Sequence, residues 1–299
     1  MAWNNQSTVT EFILRGLPSS SELQIFYFLF FSMVYAATVL GNLLIVLTIA
    51  SEPRLHSPIY FLLGNLSFID MSLASFATPK MIADFLSEHK AISFGGCITQ
   101  IFFLHLLGGA EIVLLISMSF DRHVAICKPL RYLTIMSQRM CVGLVILSWI
   151  VGIFHALSQL AFTVNLPFCG PNEGDSFFCD LPLVIKLTCV DTNILGVFMI
   201  STSGMIALVC FILLVISYTI ILVTVRQRSS SGSSKALSTC TAHFTVVTLF
   251  FDFPIDNALS VFYTIFTPLL NPVIYTLRNK DVKCSMRKLT NCLALPKFA

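Results

Sequence analysis

Stretches of about twenty apolar residues recur along this chain, at 25–50, 58–79, 98–120, 140–162, 194–225 and 258–277. A stretch of that length, coiled as an α-helix, crosses a hydrocarbon core of about 30 Å. Charged residues make up 11% of the chain and hydrophobic ones 56%, whereas a soluble domain carries about a quarter charged residues. These numbers exclude a soluble domain and predict an all-α integral membrane protein.

Lys and Arg settle the expected orientation, because they favour the cytoplasmic side. With the N-terminus outside, the inner segments hold Arg54, then Arg122, Lys128, Arg131 and Arg139, then Arg226, Arg228 and Lys235, then six more cations from Arg278 to Lys297. The outer segments hold Arg15, Lys80, Lys90 and Lys186. This bias requires an odd number of crossings, and seven fits if the short apolar stretch 236–253 also crosses. The net charge of +3 is then topogenic and gives no reason to expect nucleic-acid binding. The first 22 residues lack an apolar signal core, so the first helix is expected to direct insertion. Asn5-Gln6-Ser7 matches the N-glycosylation acceptor pattern on the outer side, while Asn65-Leu66-Ser67 falls inside a helix and should be inert.

Cys97, Cys169, Cys179 and Cys189 fall in outer segments, where disulfides persist; the other six cysteines lie in or beneath the membrane. Four outer cysteines allow three pairings, and at least one bridge should pin the loop 163–193 across the bundle mouth. Pro167, Gly170, Pro171, Gly174 and Pro182 break helix in that loop, leaving Phe177 and Phe178 available to fold inward as a lid. Ser229 to Ser234 is a flexible connector. In the tail, Val282, Met286, Leu289 and Leu293 share a helical face opposite Lys and Arg, the pattern of an amphipathic helix lying on an anionic leaflet. Cys284 and Cys292 are palmitoylation candidates there. The expected division is an extracellular N-terminus at 1–24, a seven-helix domain at 25–277 and a cytoplasmic tail at 278–299.

Enzyme signatures are missing: the chain has no phosphate-binding glycine loop, no H-E-x-x-H, no C-x-x-C and no G-x-S-x-G. The six histidines show no ligand spacing, so no metal is expected. The remaining polar groups sit in apolar helices. Asp70 and Glu111 are costly at membrane depth unless hydrated, protonated or paired, and together they suggest a site for a proton or a hydrated cation such as sodium. Asn42 and Asn271 add amides that can bridge helices. Asp121-Arg122 closes the third helix where hydrocarbon meets water, a placement suited to a switch facing the cytoplasm. Glu111 and Arg122 are eleven residues apart, about three turns, so Leu104, Gly108, Glu111, Leu115 and Arg122 share one face.

Several long motifs carry a resemblance. Leu55-His56-Ser57-Pro58-Ile59-Tyr60-Phe61, Leu66-Ser67-Phe68-Ile69-Asp70, Met118 to Cys127, Lys235 to His243 and Pro268-Leu269-Leu270-Asn271-Pro272-Val273-Ile274-Tyr275 follow one another in the order found in the olfactory receptors of the tetrapod-type class. These receptors are a branch of the rhodopsin-like G protein-coupled receptors. His123 stands where that family usually has Tyr. The resemblance implies a seven-transmembrane helix bundle in the plasma membrane and bridges Cys97–Cys179 and Cys169–Cys189. It also implies a small volatile ligand and a stimulatory, olfactory-type heterotrimeric G protein as partner. The implied ligand pocket draws on Leu104, His105, Gly108, Ile112, His155, Ser203, Ile206 and Leu259. Asp121, Arg122, Tyr218 and Tyr275 match positions that rearrange when the inner face opens.

One departure stands out. After Phe251 the family continues its sixth helix for several turns, but here Asp252-Phe253-Pro254-Ile255-Asp256 follows at once, and Pro254 would end the helix. The run from Ala236 to Phe253 reaches at most about 27 Å, which leaves the sixth helix short by roughly three turns. The reading is an odorant receptor with impaired ligand response. The alternatives are a non-signalling variant that has kept the fold, or an ion-coupled transporter or channel built on Asp70 and Glu111; the chain lacks the internal repeats that transporters tend to show.

Overall fold

The computed structural model of the chain describes residues 9–16, 20–164, 166–168, 172–189, 262–278 and 280–294, with scattered positions from 204 to 224. In chain order the elements are strand β1 (Glu11–Leu14), helices α1 (Ser21–Ser51) and α2 (Pro58–Leu86), strand β2 (Ala91–Ser93) and helix α3 (Phe94–Cys127). Then come the short helix α4 (Tyr132–Ile135), helix α5 (Gln138–Thr163), strand β3 (Glu173–Gly174) and helix α6 (Leu181–Lys186). A π-helical turn, Phe262–Phe266, leads into α7 (Thr267–Arg278), and α8 (Lys280–Ala294) follows.

Among the described residues α1, α2, α3 and α5 are long and apolar enough to cross a membrane. Their starts are written locally. Ser20, Ser93 and Ser137 are N-caps whose hydroxyls accept from the backbone N–H of Leu23, Gly96 and Met140, and Pro58 opens α2 at a position where its missing N–H costs nothing. The helices outrun the apolar windows. The second continues past 79 to Leu86, because Lys80 and Asp84 pair one turn apart, and the third continues past 120 to Cys127. The expected crossing at 236–253 lies outside the described residues, and that at 194–225 is described only at scattered helical positions.

Close packing of α3 against α5 sets the frame. A Cβ on Gly152 would lie 2.4 Å from the Leu106 carbonyl oxygen, and one on Gly109 would lie 3.1 Å from the Gly152 Cα. Without a hydrophobic driving force in lipid, such small residues let backbones approach and dispersion hold them. Leu62, Leu66, Ile69 and Leu73 of α2 meet Leu107, Leu114 and Met118 of α3 in the main apolar cluster.

The all-α reading omits a small sheet at the disulfide end of the bundle. There β1 lies between β2, antiparallel, and β3, parallel, and buries Phe12 and Leu14 against Ile92, Ile101 and Leu183. Cys97 and Cys179 are bridged in the same cluster. The alternation of Phe12 and Leu14 is too short to be read as a strand from sequence.

Candidate functional site

At the disulfide end the loop after α5 folds inward. Phe178 is buried among Phe31, Met81, Phe85 and Ile265, with Phe177 beside it. Gln100 of α3 ties this lid down: its Oε1 accepts from the Cys179 backbone N–H at 2.9 Å and its Nε2 donates to the Phe76 carbonyl at 3.1 Å, next to the helix disturbance at Pro79. Cys189 is disulfide-bonded too, and Cys169, the partner implied for it, lies outside the described residues.

Of the expected ligand residues, Leu104, His105, Gly108 and Ile112 lie along α3 and His155 on α5. The His105 and His155 rings are in contact at 5.3 Å between centroids, their planes tilted by 52°. His105 Nδ1–H donates to the Ile101 carbonyl at 2.9 Å. Gly108 is buried, and Leu104 packs on the apolar clusters of both the frame and the lid. Ser203, Ile206 and Leu259 lie outside the described residues, as does Asn5.

Midway along the bundle, Asn271 Nδ2 of α7 donates to both carboxylate oxygens of Asp70, at 2.9 and 3.1 Å. Both residues are buried, and Glu111 of α3, also buried, acts on Asp70 electrostatically. Pro272 has no N–H to give the Pro268 carbonyl one turn earlier, so that oxygen would be an orphan in an apolar setting. Asn42 Nδ2 of α1 supplies the bond at 3.0 Å. The two asparagines therefore have distinct tasks: Asn271 solvates a carboxylate and Asn42 repairs a helix.

The far end of α3 carries Asp121, fully buried, with Arg122 Nη2 at 3.3 Å from its Oδ2. That approach is an ion pair without hydrogen-bond alignment. Asp121 Oδ1 accepts from the Tyr132 hydroxyl of α4 at 2.8 Å. Burial, and next the hydrogen bond to Asp121, push the Tyr132 phenol above its ordinary range. Ser119 Oγ donates to Ser217 Oγ at 3.1 Å and the Cys127 thiol to Thr224 Oγ1 at 3.6 Å, which ties α3 to the segment around 217–224. Tyr218 lies outside the described residues; the backbone of Tyr275 belongs to α7, but its side chain is not described. Sequence reasoning missed Tyr132 and Gln100, since no helical spacing links either to its partner.

A family model described as "Olfactory receptor" matches residues 31–258, most of the chain. The chain belongs to the olfactory receptor family. It is 87% identical to human olfactory receptor 4K3, over 97% of this chain and 96% of that one. Human olfactory receptors 4K14 and 4K2 are each 64% identical, over 96% of this chain and 97% and 95% of theirs. As an olfactory receptor it is a rhodopsin-like G protein-coupled receptor of the plasma membrane, multi-pass and not an enzyme, with an odorant and a G protein as its general partners. The alignment to 4K3 runs over 303 residues, while 97% of this 299-residue olfactory receptor is about 290, so about 13 aligned residues of 4K3 have no counterpart here.

Proposed function

We propose that this olfactory receptor binds a small, volatile, apolar odorant at the disulfide end of a seven-helix bundle and signals through a stimulatory olfactory-type G protein at the Arg122 end. The observation that carries this reading is the Asp121–Arg122–Tyr132 cluster: a buried carboxylate holding a guanidinium next to a short helix is a device that a shift of neighbouring helices can open. The N-terminus is outside, with Asn5 glycosylated, and the tail is cytoplasmic, with α8 on the inner leaflet and Cys284 and Cys292 as its palmitoylation sites. Orientation rests on the Lys and Arg distribution. Asp70 and Glu111 hold a sodium ion or a proton, for which two buried carboxylates beside one amide donor provide the charge.

A second reading, a receptor that keeps the fold and has lost its response, is favoured by the roughly 13 residues of 4K3 without counterpart here. We place that gap in the sixth helix and the outer loop after it, at the break following Phe251. A cyclic AMP assay against an odorant panel tests both readings, with Arg122→Ala as the silent control and surface labelling to verify delivery. A response in the unaltered chain supports the first. Silence at the surface, relieved by inserting the 4K3 residues after Phe251, supports the second; silence in both chains for an odorant to which 4K3 itself responds would overturn the placement of the gap.

A further inference from the structure

A cavity of about 570 Å³ opens at the Arg122 end, with its lining residue Cys141 within electrostatic reach of Asp121. Ile49 near the end of α1, Leu55 in the turn after it and Phe61 in the first turn of α2 form one wall; Leu133 of α4, Met136 just after it and Cys141 at the start of α5 form the other. The His56 ring nitrogen Nε2 is fixed on the Ile49 carbonyl at 3.1 Å, which keeps the turn folded against the cavity. Its volume falls in the range of small-molecule sites, about 300–1,000 Å³.

The cavity's level and charge identify the occupant. Pro58 and Gln138, which also line it, are the first residues of α2 and α5, so it lies where helices leave hydrocarbon and meet headgroups. Leu133 is 78% exposed at its mouth, an apolar side chain with little protein cover. Arg54 adjoins Leu55 and Arg139 adjoins Gln138, both exposed, while Glu52 is the sole acid in 52–58 and 128–141. A topogenic bias alone would place arginines at this level but would not hollow out an apolar cleft between them.

We propose that this cleft binds one anionic phospholipid, with an acyl segment between the two apolar walls and the phosphate held by Arg54 and Arg139. The buried thiol of Cys141 reports occupancy, and the half-buried thiol of Cys127, outside the cleft, serves as reference. The full chain is placed in nanodiscs of phosphatidylcholine, or of phosphatidylcholine with phosphatidylserine. Maleimide labelling of each cysteine is followed by peptide mass spectrometry and expressed as the Cys141 to Cys127 ratio. Because both faces of a disc carry the same lipid, the result does not depend on the orientation proposed above.

The ratio is expected to fall several-fold on adding phosphatidylserine. That protection should be lost in the Arg54→Ala/Arg139→Ala variant, at about fivefold in lipid retention per arginine. Leu133→Trp, which fills the cleft from its exposed rim, should lower the ratio in phosphatidylcholine alone. A ratio unchanged by phosphatidylserine overturns the proposal. So does equal protection by cholesterol in neutral discs, or protection that survives loss of both arginines.

Discussion

Tyr132→Phe removes one oxygen and keeps the ring, so it isolates the 2.8 Å bond to Asp121. A hydrogen bond to a charged group contributes about 1.5–3 kcal/mol, and the half-buried position of Tyr132 sets the expectation near 1.5 kcal/mol. The loss has a pH signature. The phenol is held above its ordinary range in the folded chain, so the folded state keeps this proton where the unfolded state, with a pKa of about 10, releases it. The stabilisation is therefore complete below pH 10 and declines above it, by at most about 1.4 kcal/mol per pH unit. Thermal unfolding of detergent-solubilised chains should show the variant less stable by a constant amount from pH 7 to 9.5. The two chains should converge near pH 11, where about 1.5 kcal/mol has been offset. Equal midpoints at neutral pH, or a gap that stays constant into alkali, would refute the reasoning, because either result removes Tyr132 from the Asp121 carboxylate.

The close approach at Gly152 predicts that Gly152→Ala destabilises by about 1–3 kcal/mol, the cost of overpacking, read as a lower unfolding midpoint. Asn42→Ala leaves the Pro268 carbonyl without its donor and should cost about 1–3 kcal/mol in the same assay, whereas Asn65→Ala, whose amide among the described residues donates back to Phe61 on its own helix, should change little. Gln100→Leu should speed amide exchange at Cys179 and its neighbours by about tenfold while leaving the α3–α5 contact protected, since one buried backbone bond is lost and the disulfide is kept.

The four crossing helices α1, α2, α3 and α5 were legible in the sequence because a requirement of about twenty apolar residues per crossing leaves few alternatives. The helix ends were not, since Lys80 and Asp84 are read as charges that stop a span until they are seen to neutralise each other. The polar residues Asn42, Asp70, Glu111 and Asn271 could be picked out as costly in lipid, but their division of labour could not: that Asn42 serves Pro268 follows from Pro272 sitting one turn along, on a helix 226 residues away in sequence. Tyr132 and Gln100 were invisible for a different reason. Each reaches its partner across a loop or between helices, where no period of 3.6 or 2 connects the residues. The strand β1 was missed because its pairing with β2 and β3 is made entirely by residues distant in the chain.

The frame and the moving parts separate along these lines. Helix α3 has 34 residues, about 51 Å of helix, and it is held along its length: by the Cys97 bridge, by Gln100, at Gly109 against Gly152, and by Tyr132 through Asp121. A backbone contact that leaves no room for a methyl group allows no sliding of α3 past α5, because packed interfaces of this kind switch between discrete arrangements rather than yield gradually. An opening at the Arg122 end must then come from the segment around 217–224, which among the described residues meets α3 through the Ser217 hydroxyl and Thr224, or from the sixth crossing expected after it. If the residues absent relative to 4K3 belong to that expected crossing, the defect falls on the moving part and spares the frame. Such a chain should fold, carry its disulfide and reach the cell surface in amounts comparable to 4K3, yet give a smaller cyclic AMP response to any odorant the two share. Retention inside the cell would instead place the missing residues in the frame.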